Sequence, residues 1–297
     1  MRKNSSIRSI AATQDICGEG AVWHPQEDAV FWTDINRFLL HRCDVKTGGV
    51  QTWKFDQPVT AVVLTTDPEQ IGVILGGRVV LWNIRRQQIA ATLFELQGWP
   101  KERCNDARVG PNGILWVGTM QNNVASDGGD LPITESIGQL FSLDATGATK
   151  VWRTAMGIEN TAAWSPDATQ MYFADTLLNQ IYRSSFDESR SSIGNSEIFN
   201  DGFARGFPDG SSIDAQGYLW NCRHGGGCVV RFAPDGTVAE VVDTPAENPT
   251  TCTFGGTDRK TLYITSAGRD TPKEGGGGSL FAMDVEVPGL PSTPFRL

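Results

Sequence analysis

A turn followed by a short strand centred on an aromatic or β-branched residue returns six times along this chain: HPQEDAVFWTD, DPEQIGVILGG, GPNGILWVGTM, SPDATQMYFAD, DAQGYLWNC and GTDRKTLYITSA. Aligned on Trp32, Val73, Trp116, Tyr172, Trp220 and Tyr263, these units are spaced by 41, 43, 56, 48 and 43 residues. A period of about 40–50 residues marks stacked supersecondary units rather than one irregular core. Between the anchors lie further strand-like runs, at 78–83, 89–96, 139–144, 180–186 and 229–233. Together they supply about four short antiparallel strands per unit. No segment sustains a 3.6-residue apolar pattern over four turns.

The pattern predicts an all-β fold, a six-bladed β-propeller with four-stranded antiparallel blades, in which residues 1–297 form a single domain. A sandwich or a two-domain β protein would explain the strands but not the regular anchors. Alignment of the units then picks out one position. Glu19, Asn105, Asn160 and Asp209 each stand four residues before an apolar residue (Trp23, Val109, Trp164, Ile213) and six before Pro25, Pro111, Pro166 or Ala215. Thr60 and Thr250 are their counterparts in the other two units. Rotation about a propeller axis places these six at the entry of the innermost strands, as a ring around the channel mouth. Two carboxylates and two amides held so close need a cation or a dense water network. Every candidate ligand is an oxygen, which suits Ca²⁺, Mg²⁺ or Mn²⁺ and leaves Zn²⁺ and Fe²⁺ open. Taken singly, each of these residues would be read as a turn cap; their common register is what favours an ion.

Composition narrows the partners. Formal net charge is −9 and the basic residues are scattered, which argues against nucleic acid. No apolar run approaches the roughly 18–20 residues of a membrane span, and MRKNSSIRSI lacks the apolar centre of a signal peptide, so a cytoplasmic protein with no membrane partner is expected. The six cysteines show neither a CxxC pair nor zinc-ribbon spacing and read as small buried residues. There is no G-x-S-x-G nucleophile elbow, and EGGGGS at 274–279 reads as a flexible hairpin loop rather than a phosphate loop. His24, His41 and His224 fall outside the ring.

At GEGAVW around Glu19, RCNDARVGPNGILWVGTM, NTAAWSPDATQMYFADT, FPDGSSIDAQGYLW and CTFGGTDRKTLYITSA, the chain resembles the senescence marker protein, gluconolactonase and regucalcin family. The resemblance runs from GEGAVWHP to TSAG. It implies a six-bladed propeller that binds one divalent cation and hydrolyses sugar lactones. It further implies that Glu19, Asn160 and Asp209 ligate the metal, that Asn105 contacts it through water or holds substrate, and that Arg103 meets sugar hydroxyls. The chain departs from the family pattern at Ala107 and Gly110, where Gly and Asp are usual, and at Gln121, where some relatives carry an acidic substrate contact.

The expected activity is therefore metal-dependent hydrolysis of an aldonolactone to the aldonic acid, with Asp209 as general base and Arg103, Asn105 and Gln121 as substrate contacts. Asp106 is the lesser candidate for the base, a turn cap or orienter of Asn105 being its other role. Arg103 has an alternative in a surface or inter-blade ion pair. Two rival functions share the same ion: a metal-dependent esterase or organophosphate hydrolase, and a calcium-binding regulatory propeller without significant turnover. The insertion QNNVASDGGDLPITESI, residues 121–137, accounts for the longest spacing and is expected over the metal on the face that shapes the sugar pocket. Neither the sugar nor the oligomeric state is written in these motifs.

Overall fold

Each anchor of the sequence repeat lies in the second strand of a four-stranded antiparallel sheet, and there are six such sheets. The computed structural model describes residues 7–268 and 276–297. The EGGGGS reading therefore falls partly outside the described residues. Numbered in chain order, the first sheet comprises β2 (Gly18–His24), β3 (Ala29–Asp34), β4 (Leu39–Asp44) and β5 (Val50–Lys54). The second to fifth sheets begin at β6 (Val59–Leu64), β10 (Glu102–Val109), β14 (Glu159–Trp164) and β18 (Phe207–Ile213), each followed by three strands in order. The sixth is made of β22 (Asn248–Gly255), β23 (Thr261–Ala267) and β24 (Leu280–Asp284), and its outermost strand is β1 (Arg8–Ala11) from the other end of the chain. The architecture is the six-bladed β-propeller. Among the described residues the only helical turns are two three-residue 3₁₀ segments, and no helix is long and apolar enough to cross a membrane.

Packing explains the aromatic anchors. Six apolar clusters fill the six interfaces between neighbouring blades, and alternate residues of each second strand serve the clusters on its two sides. Trp32 and Trp116 are 0% exposed in two of these clusters. All six cysteines are free, five of them buried, as their spacing suggested.

The C-terminal segment leaves the sixth blade and crosses beneath the ring. Leu290 N donates to Ile213 O (3.2 Å), Phe295 N to Leu64 O (2.8 Å) and Arg296 N to Gly113 O (3.0 Å), which ties blades two, three and five together. Phe295, 1% exposed, fills the cluster between blades two and three. Phe295→Ala is expected to destabilise the protein by about 3–4 kcal/mol through the cavity left behind. Denaturant titration reads this as a lower midpoint; a midpoint equal to wild type would mean the strap contributes nothing.

Candidate active site

The inner strands all start at one face, and at that level every one of them breaks register with its neighbour. The irregularities fall between Glu19 and Val22, Val59 and Ala61, Cys104 and Ala107, Asn160 and Ala163, Pro208 and Ser211, and Pro249 and Cys252. Such bulges turn a side chain out of the sheet alternation. All six positions read as a ring lie at these bulges. Gly20, after Glu19, has φ +59° and a backbone so close to Ala61 that a Cβ would stand 2.7 Å from its Cα. Thr161 occupies the equivalent place after Asn160 at φ 61° without being glycine, a strained conformation for a β-branched residue.

The strain at Thr161 is offset by its contacts. Its hydroxyl donates to Asp209 O and lies 2.9 Å from Ser211 Oγ, and its N–H donates to Asp106 Oδ2 at 3.2 Å. Asn221 Nδ2 donates to Asp209 O as well, at 2.9 Å. Asp209 is thus fixed through its backbone, which leaves its carboxyl to the channel. That carboxyl meets the carboxyl of Glu19 closely enough to share a proton. Burial and the nearby Asp106 push Glu19 up to about 8, and burial with the Glu19 charge raises Asp209 well above the usual carboxylate range. Glu19 keeps some exposure at the mouth, while Asp209 is 6% exposed.

A chain of hydrogen bonds adjoins this pair. Arg103 Nη1 donates to Asn105 Oδ1 (2.7 Å), Asn105 Nδ2 to Asn160 Oδ1 (2.9 Å), Asn160 Nδ2 to Thr176 Oγ1 (2.8 Å), and Thr176 Oγ1 to Pro208 O (2.7 Å). Asn105 Nδ2 also donates to Glu159 O at 2.8 Å, so a sugar would meet Asn105 through its Oδ1. Both oxygens of Asp106 accept backbone N–H groups, from Ala107 (2.8 Å) and Thr161 (3.2 Å), which ties its side chain to the backbone of two blades. Arg103 is buried and makes no ion pair among the described residues. Burial lowers it to about 10. The alternative reading of Arg103 as a surface ion pair therefore gives way to a guanidinium held by neutral oxygens.

Thr60 and Thr250 complete the ring with hydroxyls bonded to backbone, to Ile74 O and Gly18 O. The 121–137 insertion lies on this same face. Asn123 Oδ1 accepts from Arg103 Nε (3.0 Å) and Nη2 (2.8 Å), Asn36 Nδ2 donates to Gly128 O (2.9 Å), and Val124 packs on Ile35 and Phe38. Gln121 Oε1 accepts from the N–H groups of Thr134 and Glu135, each at 2.7 Å. Its carboxamide holds the insertion rather than projecting freely. Arg223 is consumed by Asn179, Asn221 and three carbonyls, and His224 is exposed, so neither joins the cluster. Thr161, Thr176, Asn123 and Asn221 were not singled out from sequence. Thr161 and Thr176 act through carbonyls of the next blade, Asn123 through the guanidinium of Arg103 and Asn221 through the Asp209 carbonyl on the adjacent strand, relations that repeat spacing does not carry.

Known proteins share the fold and much of the sequence of this chain. The family profile described as the SMP-30/Gluconolactonase/LRE-like region matches residues 17–268. The chain is 32% identical to pentonolactonase XacC of Haloferax volcanii over 298 residues, covering 96% of this chain and 97% of that protein. It is also 32% identical to 6-deoxy-6-sulfogluconolactonase of Pseudomonas putida, over 96% of this chain and 97% of the relative. The crystal structure of a calcium-binding protein, regucalcin, from Agrobacterium tumefaciens superposes with a TM-score of 0.91 at 26% identity, covering 99% of this chain and 98% of that one. With residues 17–268 matched by the family profile and nearly its whole length covered by relatives at 32% identity, the chain belongs to the SMP-30/gluconolactonase/LRE-like family.

Proposed function

We propose that this protein hydrolyses a sugar lactone to the aldonic acid at the channel mouth, with a divalent cation held by Glu19, Asn160 and Asp209. One observation carries the reading: the carboxyls of Glu19 and Asp209 meet at the mouth with proton affinities raised by burial, by the Asp106 charge on Glu19 and by the Glu19 charge on Asp209, and both stand at strand bulges equivalent to that of Asn160. Buried like charges call for compensation, and a cation supplies it without a protein base. Among the described residues no group of three His, Cys, Asp or Glu side chains is disposed to hold an ion. The third donor proposed here is a carboxamide, and an all-oxygen set of two carboxylates and one amide fits a hard or borderline divalent ion. The names of the relatives, two sugar lactonases and a calcium-binding regucalcin, support the same reading.

When bound, the ion supplies Lewis-acid polarisation of the lactone carbonyl and compensates the developing oxyanion. Asp209 accepts the proton of the attacking water, its backbone anchored by Thr161 and Asn221 so that only the carboxyl moves. Arg103 donates to the sugar from a position fixed by Asn123 and Asn105. Asn105 orients the Asn160 oxygen and offers Oδ1 to the substrate. Gln121 acts on the substrate through the insertion that it ties down. Assay of lactone opening with and without chelator tests the reading directly; a rate equal to spontaneous hydrolysis under both conditions would leave an ion-binding propeller without turnover.

The insertion provides a separate test. Replacing residues 122–136 by a short turn is expected to change the ratio of kcat/KM between pentono- and hexonolactones by about tenfold or more, the scale of pocket discrimination. Ion affinity should hold within about twofold, since no proposed ligand lies in the insertion. An unchanged substrate ratio would remove the insertion from specificity.

A further inference from the structure

The inner strands end on the face opposite the candidate active site, where Val109, Trp164, Ile213 and Phe254 surround a cavity of about 290 Å³. Its floor is the C-terminal strap, which presents Leu290, Ser292 and Thr293. Its walls are mostly apolar, including Val62 and Ala163. One charge borders it. Arg108, from β10, extends its guanidinium across the channel axis, with Nη2 3.1 Å from Cys252 O, 3.3 Å from Ser211 O and 3.4 Å from Thr251 Oγ1, and Nη1 3.4 Å from Ala21 O.

Those four acceptors come from three other blades and are all neutral. They are also long against the usual 2.9–3.0 Å or so of an N–H···O bond. Arg108 makes no ion pair among the described residues. A half-buried guanidinium beside apolar walls is stabilised when an anion meets it.

We infer that the lower cavity is a second binding site, distinct from the lactone site, for a small amphipathic carboxylate whose head meets Arg108 and whose apolar body fills the space above the strap. The volume suits such a guest, because an apolar cavity of about 150 Å³ already accommodates benzene. Arg108 stands between the guest and the upper cluster. The inference goes beyond lactone hydrolysis and does not depend on it.

The probe is 4-bromobenzoate, titrated calorimetrically into the full-length protein and soaked into its crystals for bromine anomalous scattering. One equivalent is expected to bind with a Kd of about 1 mM or tighter, given the affinity that some ten heavy atoms can supply. The bromine should lie among Ala163, Ile213 and Phe254. Neutral 4-bromobenzyl alcohol is expected to bind at least about tenfold more weakly, and Arg108→Met to weaken the acid by a similar factor. Ser292→Trp, on the strap and outside the upper cluster, should abolish binding without altering lactone turnover; it serves as the test if Arg108→Met does not fold. Equal binding of acid and alcohol, bromine at the upper mouth, or no heat of binding at about ten times the expected Kd would each overturn the assignment.

Discussion

Asp209→Asn is expected to lower kcat/KM for an aldonolactone by about 10³-fold, because it removes the proposed general base and one charged ligand of the cation together. The substitution isolates chemistry from folding. The hydrogen bonds that hold Asp209 in place, from Thr161 Oγ1 and Asn221 Nδ2, end on its backbone oxygen and survive the change. Loss of one of two facing carboxyls also removes repulsion, so the variant should melt no lower than wild type when both are measured in chelator. Low activity with an unchanged melting temperature fits the assignment. Activity within about tenfold of wild type would move the base elsewhere, with Asp106 the first alternative.

Removal of the divalent ion is the second large effect. Chelation is expected to return lactone opening to the spontaneous rate and to expose the titration of Glu19. Its carboxyl is raised from 4.5 to about 8 in the folded protein. Between those values the folded state holds a proton that the unfolded chain has released, so the unfolded state binds fewer protons and ion-free stability falls as pH rises through this window. Asp209, raised in the same direction, adds to the slope. An ion must displace such protons, so its affinity should climb with pH by about tenfold per unit and per proton displaced below about pH 8. Calorimetry at pH 7 in buffers of different ionisation enthalpy counts the protons released, and Glu19→Gln should reduce that count. Zero protons released at pH 7, with affinity independent of pH, would show that no cation sits between these carboxyls.

How much of this could be read in the sequence follows from how each feature is encoded. The six anchors and the ring positions repeat with the blades, and all of them occupy equivalent places in the fold: the anchors in second strands, the ring residues at the bulges of first strands. Repetition does not describe contacts between blades. Thr161 earns its strained φ only because Asp209 and Asp106 come from two other blades. Asn123 gains its role because Arg103 lies across the start of the insertion. β1 was unreadable for the opposite reason: its partner, β24, stands at the far end of the chain, and four residues reading RSIA carry no strong strand signal of their own. The insertion was legible as excess length, yet Gln121 has a structural duty that the GTMQ motif does not announce.

The pairing of Arg8 with Ala282 has a consequence for biosynthesis. β1 has to wait for β24 before it finds its neighbour, and contacts so remote in sequence form slowly. Earlier blades can assemble during translation, but Glu19 and Asp209 come from the first and fifth of them, and their approach depends on the circle being joined. A chain that stops before β24 therefore has blades without a closed ring around the reaction centre.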